Sequence, residues 1–273
     1  MAVADPLNRF SGRVAVLPGS TADPSIGRAC ARRLGREGAA VVINGRDEAA
    51  LAATERALRE EGIAVAAVAG SMEDDATPDR LVDAAIGHFG RIDLLVNTIG
   101  GARFQGSFEA MDRAAWLDTI ALNTWPALAL IKAAVGRGLT EGDGAVVNIS
   151  SGSPRKTTST MIAYAAAKAA LNALTRTLAA DLGPRGVRVN AVSPGLTKTT
   201  ATRVMWQRDD GRAAGANVVL GQLTEADDIA AAACFLLSDD ARQITGVTLD
   251  VDGGNHLASG GWTPITPPVP AVP

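Results

Sequence analysis

The sequence predicts an α/β fold: one doubly wound parallel sheet of about seven strands, with helices on both faces. Three observations predict it. Short apolar runs alternate with longer helical stretches along most of the chain. The first run empties into a loop of small residues that opens a helix. Nearly half of the residues, 47%, are hydrophobic, enough to fill a core on each side of such a sheet. Strands joined through helices run parallel, with right-handed crossovers.

The elements follow in order. Val14, Ala15, Val16 and Leu17 form the first strand, closed by Pro18-Gly19, and a helix is expected over 26–38. A second strand over 39–44 precedes an Ala- and Glu-rich helix over 47–61, and a third strand over 64–69 precedes a helix over 78–89. The fourth strand covers 93–96. A long helix follows over 113–136, with Pro126 expected to kink or break it. Strands over 145–149 and 187–192 flank a helix over 162–181, and a helix over 226–237 leads to the last strand over 247–251. One domain over 1–254 results. From Asn255 to Pro273 the chain is rich in Gly and Pro and reads as an extended tail.

Composition excludes several functions. With 26 basic and 29 acidic residues the net charge is −3, so no basic footprint for nucleic acid or an anionic membrane is present. No run reaches the ~18 apolar residues of a membrane span. Residues 1–10 lack an apolar signal core, so a cytoplasmic location is expected. Cys30 and Cys234 lie far apart in apolar stretches and read as core thiols. The only histidines are His88 and His256. That scarcity argues against a Ser-His-Asp hydrolase or a His/Cys metal site, and no metal ligand set is expected.

Two ends of the pattern carry chemistry. The loop Gly19-Ser20-Thr21-Ala22-Asp23-Pro24-Ser25-Ile26-Gly27 lies between a strand and a helix N-terminus, where backbone N–H groups and the helix dipole favour a dinucleotide pyrophosphate. The second strand ends Asn44-Gly45-Arg46. An acidic residue there would pair with a ribose diol, whereas Arg46 suits a 2′-phosphate, so NADP(H) is expected over NAD(H). At the other end stands the single tyrosine, Tyr164, in Tyr164-Ala165-Ala166-Ala167-Lys168. Residues i and i+4 share a helix face, so the Lys168 ammonium should approach the phenol and lower its pKa toward working pH. Ser151 closes the strand Ala145-Val146-Val147-Asn148-Ile149, thirteen residues before Tyr164, at the sheet edge where ligands bind. Val189-Asn190-Ala191-Val192-Ser193-Pro194-Gly195 is a further strand ending in a turn.

Together these residues resemble the short-chain dehydrogenase/reductase (SDR) family, across nearly the whole chain from Phe10 to Gly254 and on a single-domain Rossmann fold. The elements are Asn97-Thr98-Ile99-Gly100, Asn123, Ser151, Tyr164 with Lys168, Pro194-Gly195, and Thr245-Gly246 with Asp252-Gly253-Gly254. The resemblance implies an NAD(P)-dependent oxidoreductase that interconverts a ketone and a secondary alcohol. It implies Tyr164 as acid/base and Ser151 as partner of the substrate oxygen. Lys168 would bind the nicotinamide ribose and tune the tyrosine, and Asn123 would hold a water that links Lys168 to solvent. It implies cofactor contacts at Gly19, Ser20, Thr21, Ser25, Ile26, Gly27, Arg46, Asn97, Gly100, Pro194, Gly195, Thr197 and Thr199, beside Tyr164 and Lys168. Asn97 would tie neighbouring strands together, and a homotetramer built on the helices over 113–136 and 162–181 is implied.

The sequence departs from the family pattern on the cofactor side. Pro18 stands where TGxxxGIG has Thr, the loop is two residues longer, and Ser25 replaces the middle Gly. Pro24 replaces a second basic residue found in many NADP-preferring members. Gly70 or Ser71 replaces an Asp near the adenine, and Thr98-Ile99 replaces Asn-Ala. Two other readings stay open: a 3-oxoacyl-thioester reductase, and a silent NADP-binding regulator. Substrate contacts are expected among Arg103, Phe104, Trp125, Ser153, Met161, Leu196, Val204, Met205 and Trp206, a mixture suggesting an apolar substrate.

Overall fold

Successive residues of a strand face opposite sides of its sheet, and in this chain both sides are apolar. In β1 (Val14–Leu17), Ala15 and Leu17 enter one core while Val14 and Val16 enter the other. β2 (Ala40–Gly45), β3 (Val65–Ala69), β4 (Leu94–Asn97), β5 (Ala145–Ile149) and β6 (Arg188–Pro194) divide in the same way. This is why the strands read as continuous apolar runs: a parallel sheet is covered on both faces. The computed structural model describes residues 8–139, 144–156 and 160–257.

One face carries α1 (Ile26–Arg36), α2 (Glu48–Glu60) and, later in the chain, α7 (Ala226–Leu237). The other carries α3 (Thr77–Phe89), α4 (Arg113–Gly136) and α5 (Ile162–Leu182). Between α5 and α7 lie a two-residue ladder of β7 (Thr197–Lys198) with β8 (Thr224–Glu225), and the single turn α6 (Arg212–Gly215). The last strand is β9 (Thr248–Val251). The main sheet has seven parallel strands in the order β3-β2-β1-β4-β5-β6-β9. The order reverses between β1 and β4, so connections diverge there and leave a crevice at the carboxyl ends of the strands.

Local chemistry sets the boundaries. Ser25, Asp47 and Asp112 begin α1, α2 and α4, each side chain accepting from a backbone N–H of the first turn. Arg188 at the start of β6 donates to the carbonyls of Leu236, Leu237 and Ser238, closing the C-terminal end of α7. Expected and observed elements agree to within two residues at each end. Two expectations change. Pro126 does not break α4, which runs unbroken through 24 residues, with Pro126 itself buried. By length and mean hydropathy α4 also satisfies the criterion for a membrane span, contrary to the sequence reading. It instead packs against α3, α5 and the sheet, with Leu130, Ile131 and Ala134 in the core. The stretch 258–273, most of the expected tail, lies outside the described residues, whereas 252–257 forms turns against the sheet.

Candidate active site

The crevice is lined from the ends of β4 and β5 and from α4 and α5. Asn97 ends β4, and its Nδ2 donates to Asn148 Oδ1 of β5 at 2.7 Å, the cross-strand tie expected of it. Asn148 continues the tie to Thr175 of α5 at 2.9 Å, and Thr175 donates to Leu171 O. This buried chain fixes α5 against the sheet and thereby places Tyr164 and Lys168. Asn148 and Thr175 were not singled out from the sequence; the signal was an Asn inside the apolar run Ala145–Ile149. Thr98 Oγ1 donates to Pro18 O at 2.5 Å and joins the ends of β1 and β4.

Lys168 is buried, and its Nζ donates to Ile149 O at 2.9 Å and lies 5.8 Å from the centre of the Tyr164 ring. Burial lowers its pKa to about 8. Burial raises the Tyr164 phenol above its ordinary value, and the Ser151 hydroxyl works in the opposite direction. The expectation that Lys168 sets the phenol low therefore needs correction: desolvation outweighs the opposing influence, and that influence comes from Ser151. Asn123 is fully buried on α4. Its Nδ2 donates to Thr119 O and Gly101 O, and its Oδ1 accepts from Gly101 N. One amide hydrogen and the amide oxygen thus fasten the turn after β4, and the other hydrogen ties the side chain to its own helix. A Cβ at Gly100 would stand 2.5 Å from Asn123 Oδ1 and 2.8 Å from Lys168 Nζ, so only glycine lets the three elements meet.

The cofactor loop is more self-contained than expected. Gly19 N and Ser20 N both donate to Asn44 O, and Ser20 Oγ donates to Leu17 O at 2.6 Å. These groups hold the loop's own turn, so neither the Ser20 hydroxyl nor those two N–H groups face an anion. Ser25 lies in extended backbone (φ −149°), where a side chain is tolerated, and its Oγ caps Arg28 N at 3.2 Å. The Ile26 and Gly27 N–H groups open α1 with no helical acceptor available to them. They are what the loop offers a pyrophosphate. A Cβ at Gly27 would lie 2.5 Å from Gly19 O, so the helix start needs glycine to seat under the loop. The two extra residues have a visible consequence: Pro24 O accepts from Thr200 N at 2.8 Å and from Thr200 Oγ1 at 3.2 Å, tying the loop to the segment after β7.

At the adenosine end Arg46 is exposed, with no ion-pair partner among the described residues. A Cβ at Gly45 would meet Thr21 Cγ2 at 2.2 Å, so Thr21 closes the position where an acidic residue would stand. Gly70 meets Arg80 in the same manner, with Arg80 Nη2 2.5 Å from a built Cβ. On the nicotinamide side, Pro194 O accepts from Gly152 N at 3.0 Å, and Gly195 is pressed against Asp252. Thr197 Oγ1 donates to Gly195 O, and Thr199 forms a reciprocal cap with Thr202. Both hydroxyls thus engage their own turns. The glycine approaches, the open α1 N–H groups, Arg46 and the buried, unpartnered Asn97 Oδ1 together fit a dinucleotide. Among the described residues no His, Cys, Asp and Glu cluster could hold a metal. His256 instead meets Asp252 at 2.8 Å.

Comparison with known proteins shows the family. The sequence profile of the family described as "Enoyl-(Acyl carrier protein) reductase" matches residues 19–256. A "3beta-hydroxysteroid dehydrogenase 1" of Eggerthella lenta is 36% identical over 254 residues, spanning 92% of this chain and 96% of the relative. The chain is a short-chain dehydrogenase/reductase. A 3-oxoacyl-[acyl-carrier-protein] reductase of Haemophilus influenzae is 35% identical, over 91% of this SDR and all of the relative. A solved short-chain type dehydrogenase/reductase from Mycobacterium ulcerans superposes with a TM-score of 0.84 at 31% identity, covering 92% of each chain. This SDR is accordingly a nicotinamide-dependent oxidoreductase acting on CH–OH groups.

The substrate-side expectations separate. Ser153 lies against Ser151. Trp125 does not reach the crevice: its Nε1 donates to Asp75 at 2.9 Å on the outer surface between α3 and α4. Arg103 pairs with Glu73 and, more distantly, with Asp118. Val204 and Met205 are exposed, and Trp206 Nε1 donates to Thr199 O.

Proposed function

We propose that this SDR reduces an apolar ketone with NADPH, and oxidises the matching secondary alcohol with NADP⁺, in the cytoplasm. The observation that carries the reading is the meeting of Ser151, Tyr164 and Lys168 at the carboxyl edge of the sheet, with an exposed Arg46 at the end of β2. A bound nicotinamide supplies the hydride in reduction and accepts it in oxidation. In reduction the Tyr164 hydroxyl gives its proton to the carbonyl oxygen as negative charge develops there, and Ser151 donates a hydrogen bond to the same oxygen. In oxidation the phenolate takes the alcohol proton. Lys168 would hold the nicotinamide ribose hydroxyls, and its ammonium would offset charge on Tyr164 once a ligand fills the crevice. Asn123 keeps the turn at Gly100 in place. Arg46 would hold the 2′-phosphate, and the Ile26 and Gly27 N–H groups would hold the pyrophosphate.

The exposed apolar side chains of Val204, Met205 and Leu220, on the segment that follows the catalytic edge, support an apolar substrate. The steroid dehydrogenase relative agrees with that preference. A 3-oxoacyl thioester is the second reading, favoured by the 35% identity to the Haemophilus reductase. A silent regulator is disfavoured because every acid/base position is filled. Tyr164→Phe tests the reading. Turnover should fall to below about one per cent while NADPH still binds, since only the transferable proton is lost. Near wild-type turnover would remove Tyr164 from the reaction. Parallel assays with a steroid ketone and a 3-oxoacyl thioester then separate the two substrate classes.

We also propose a homotetramer assembled on α4 and α5. On these helices Leu130, Ile131 and Leu171 belong to the chain's own core. Exposed apolar side chains on them include Leu117, Trp125, Ala114 and Ala121 of α4 and Ala169, Ala170 and Ala173 of α5. Small residues on a helix face allow close approach of a symmetry mate.

A further inference from the structure

A serine hydroxyl has one proton to give and two lone pairs to fill. Ser151 Oγ accepts from Ser153 N at 3.1 Å and from Ser153 Oγ at 2.9 Å. One residue, through its backbone and its side chain, thus occupies the whole acceptor side of Ser151. What remains to Ser151 is its proton. We propose that Ser153 is a positioning residue. By filling both lone pairs of Ser151 it commits the Ser151 proton to the Tyr164 oxygen or to the oxygen of a bound substrate. The inference rests on Tyr164 being the acid/base.

The turn that carries Ser153 is built to hold this geometry. Gly152 N donates to Pro194 O, Arg155 reaches Ser193 Oγ at 3.0 Å and the Asp250 carboxylate, and Lys156 Nζ donates to Asn255 Oδ1 at 2.7 Å. The turn is therefore tied to the ends of β6 and β9 and cannot slide away from Ser151. The charged group beside Tyr164 is Lys168, on its own helix. Arg155 and Lys156 on the Ser151 turn are directed to Ser193, Asp250 and Asn255, and the Asp252–His256 pair lies beyond Gly195. Ser151 is the group that draws the phenol pKa down against burial. A hydroxyl that already accepts two hydrogen bonds is a stronger donor, because bonds in a chain polarise one another. The same constraint selects for substrate: the atom placed at Ser151 must accept, as a carbonyl oxygen does, and an N–H or protonated amine there would face a proton.

The chain has one tyrosine, so phenolate absorbance during a pH titration reads Tyr164 alone, without substrate or cofactor. Ser153→Ala should move the midpoint upward by about 0.5–1 pH unit, the size of one modest hydrogen bond. Ser153→Thr, which keeps the hydroxyl, should restore it. Ser151→Ala should raise the midpoint at least as far, and adding Ser153→Ala to it should raise it no further, because Ser153 acts through Ser151. In the oxidation direction the alkaline rise of kcat should move with the titration while KM changes little. An unmoved midpoint in Ser153→Ala would overturn the proposal, and so would an equal increment in the Ser151→Ala background. The acid/base reading fails separately, on residual turnover in Tyr164→Phe, an outcome this titration does not touch.

Discussion

Replacing Lys168 by Met should reveal what the site costs the fold. In the free protein Lys168 is buried with one carbonyl acceptor, Ile149 O. Its pKa stands at about 8 against an ordinary 10.5, because burial penalises the ammonium. Below pH 8 the side chain is charged in both folded and unfolded chains, and folding bears the full desolvation cost. Above 10.5 it is neutral in both and the cost vanishes. In between, the unfolded chain binds more protons, so stability rises with pH. The gap between 10.5 and about 8, at ~1.4 kcal/mol per pH unit, amounts to about 3 kcal/mol. Lys168→Met removes the titration and leaves other pH effects in place. Urea unfolding of both proteins, free of cofactor, at a series of pH values from 7 to 10.5 measures it. Wild type should gain on the variant across that window by about 3 kcal/mol, order of magnitude. A difference between the two proteins that stays flat with pH, or falls, would refute the reasoning.

Three further outcomes follow from other parts of the structure. Arg46→Asp should lower catalytic efficiency with NADPH about ten- to a hundredfold relative to NADH, as expected for loss of a charged hydrogen bond of ~1.5–3 kcal/mol; an unchanged ratio would make Arg46 a solvated charge. Gly27→Ala forces a Cβ to within 2.5 Å of Gly19 O. At ~1–3 kcal/mol for such overpacking, cofactor affinity measured by calorimetry should weaken about tenfold or more, and unaltered affinity would mean that the loop yields freely. Light scattering at micromolar concentration should return four times the 27.9 kDa chain mass, and a mass near one chain would end the α4–α5 assembly.

Much of this was legible before any coordinates, for a physical reason. Periodicity and strand-end position depend on near neighbours in sequence, so the seven strands, the α5 face carrying Tyr164 and Lys168, and the strand-end Ser151 could all be read. What the sequence concealed depends on contacts between distant segments. The Ser20 hydroxyl looks like a phosphate ligand until Leu17 O is found to hold it. Trp125 looks like a pocket aromatic until Asp75 claims it on the outside of α4. Pro126 reads as a helix breaker because propensity takes no account of tertiary packing, and buried neighbours carry α4 through it. Ser153 was named only as a candidate substrate contact; its bond to Ser151 required the turn to be seen closed. Asn148 escaped notice because a single amide in an apolar strand gives no clue to its partner 27 residues away on α5.

The contact between Thr21 and Gly45 has a bearing on ancestry. The Thr21 methyl occupies the space a side chain at position 45 would need, within 2.2 Å of a built Cβ. A carboxylate at that strand end, the usual route to the other nicotinamide cofactor, is therefore closed to a single substitution. Thr21 has to become smaller first, by a change that confers no new preference of its own. Position 46 lies outside this obstruction and is exposed. Descendants of this sequence that change cofactor should thus do so first at 46, or else carry a small residue at 21 as the trace of a permissive step taken before the decisive one.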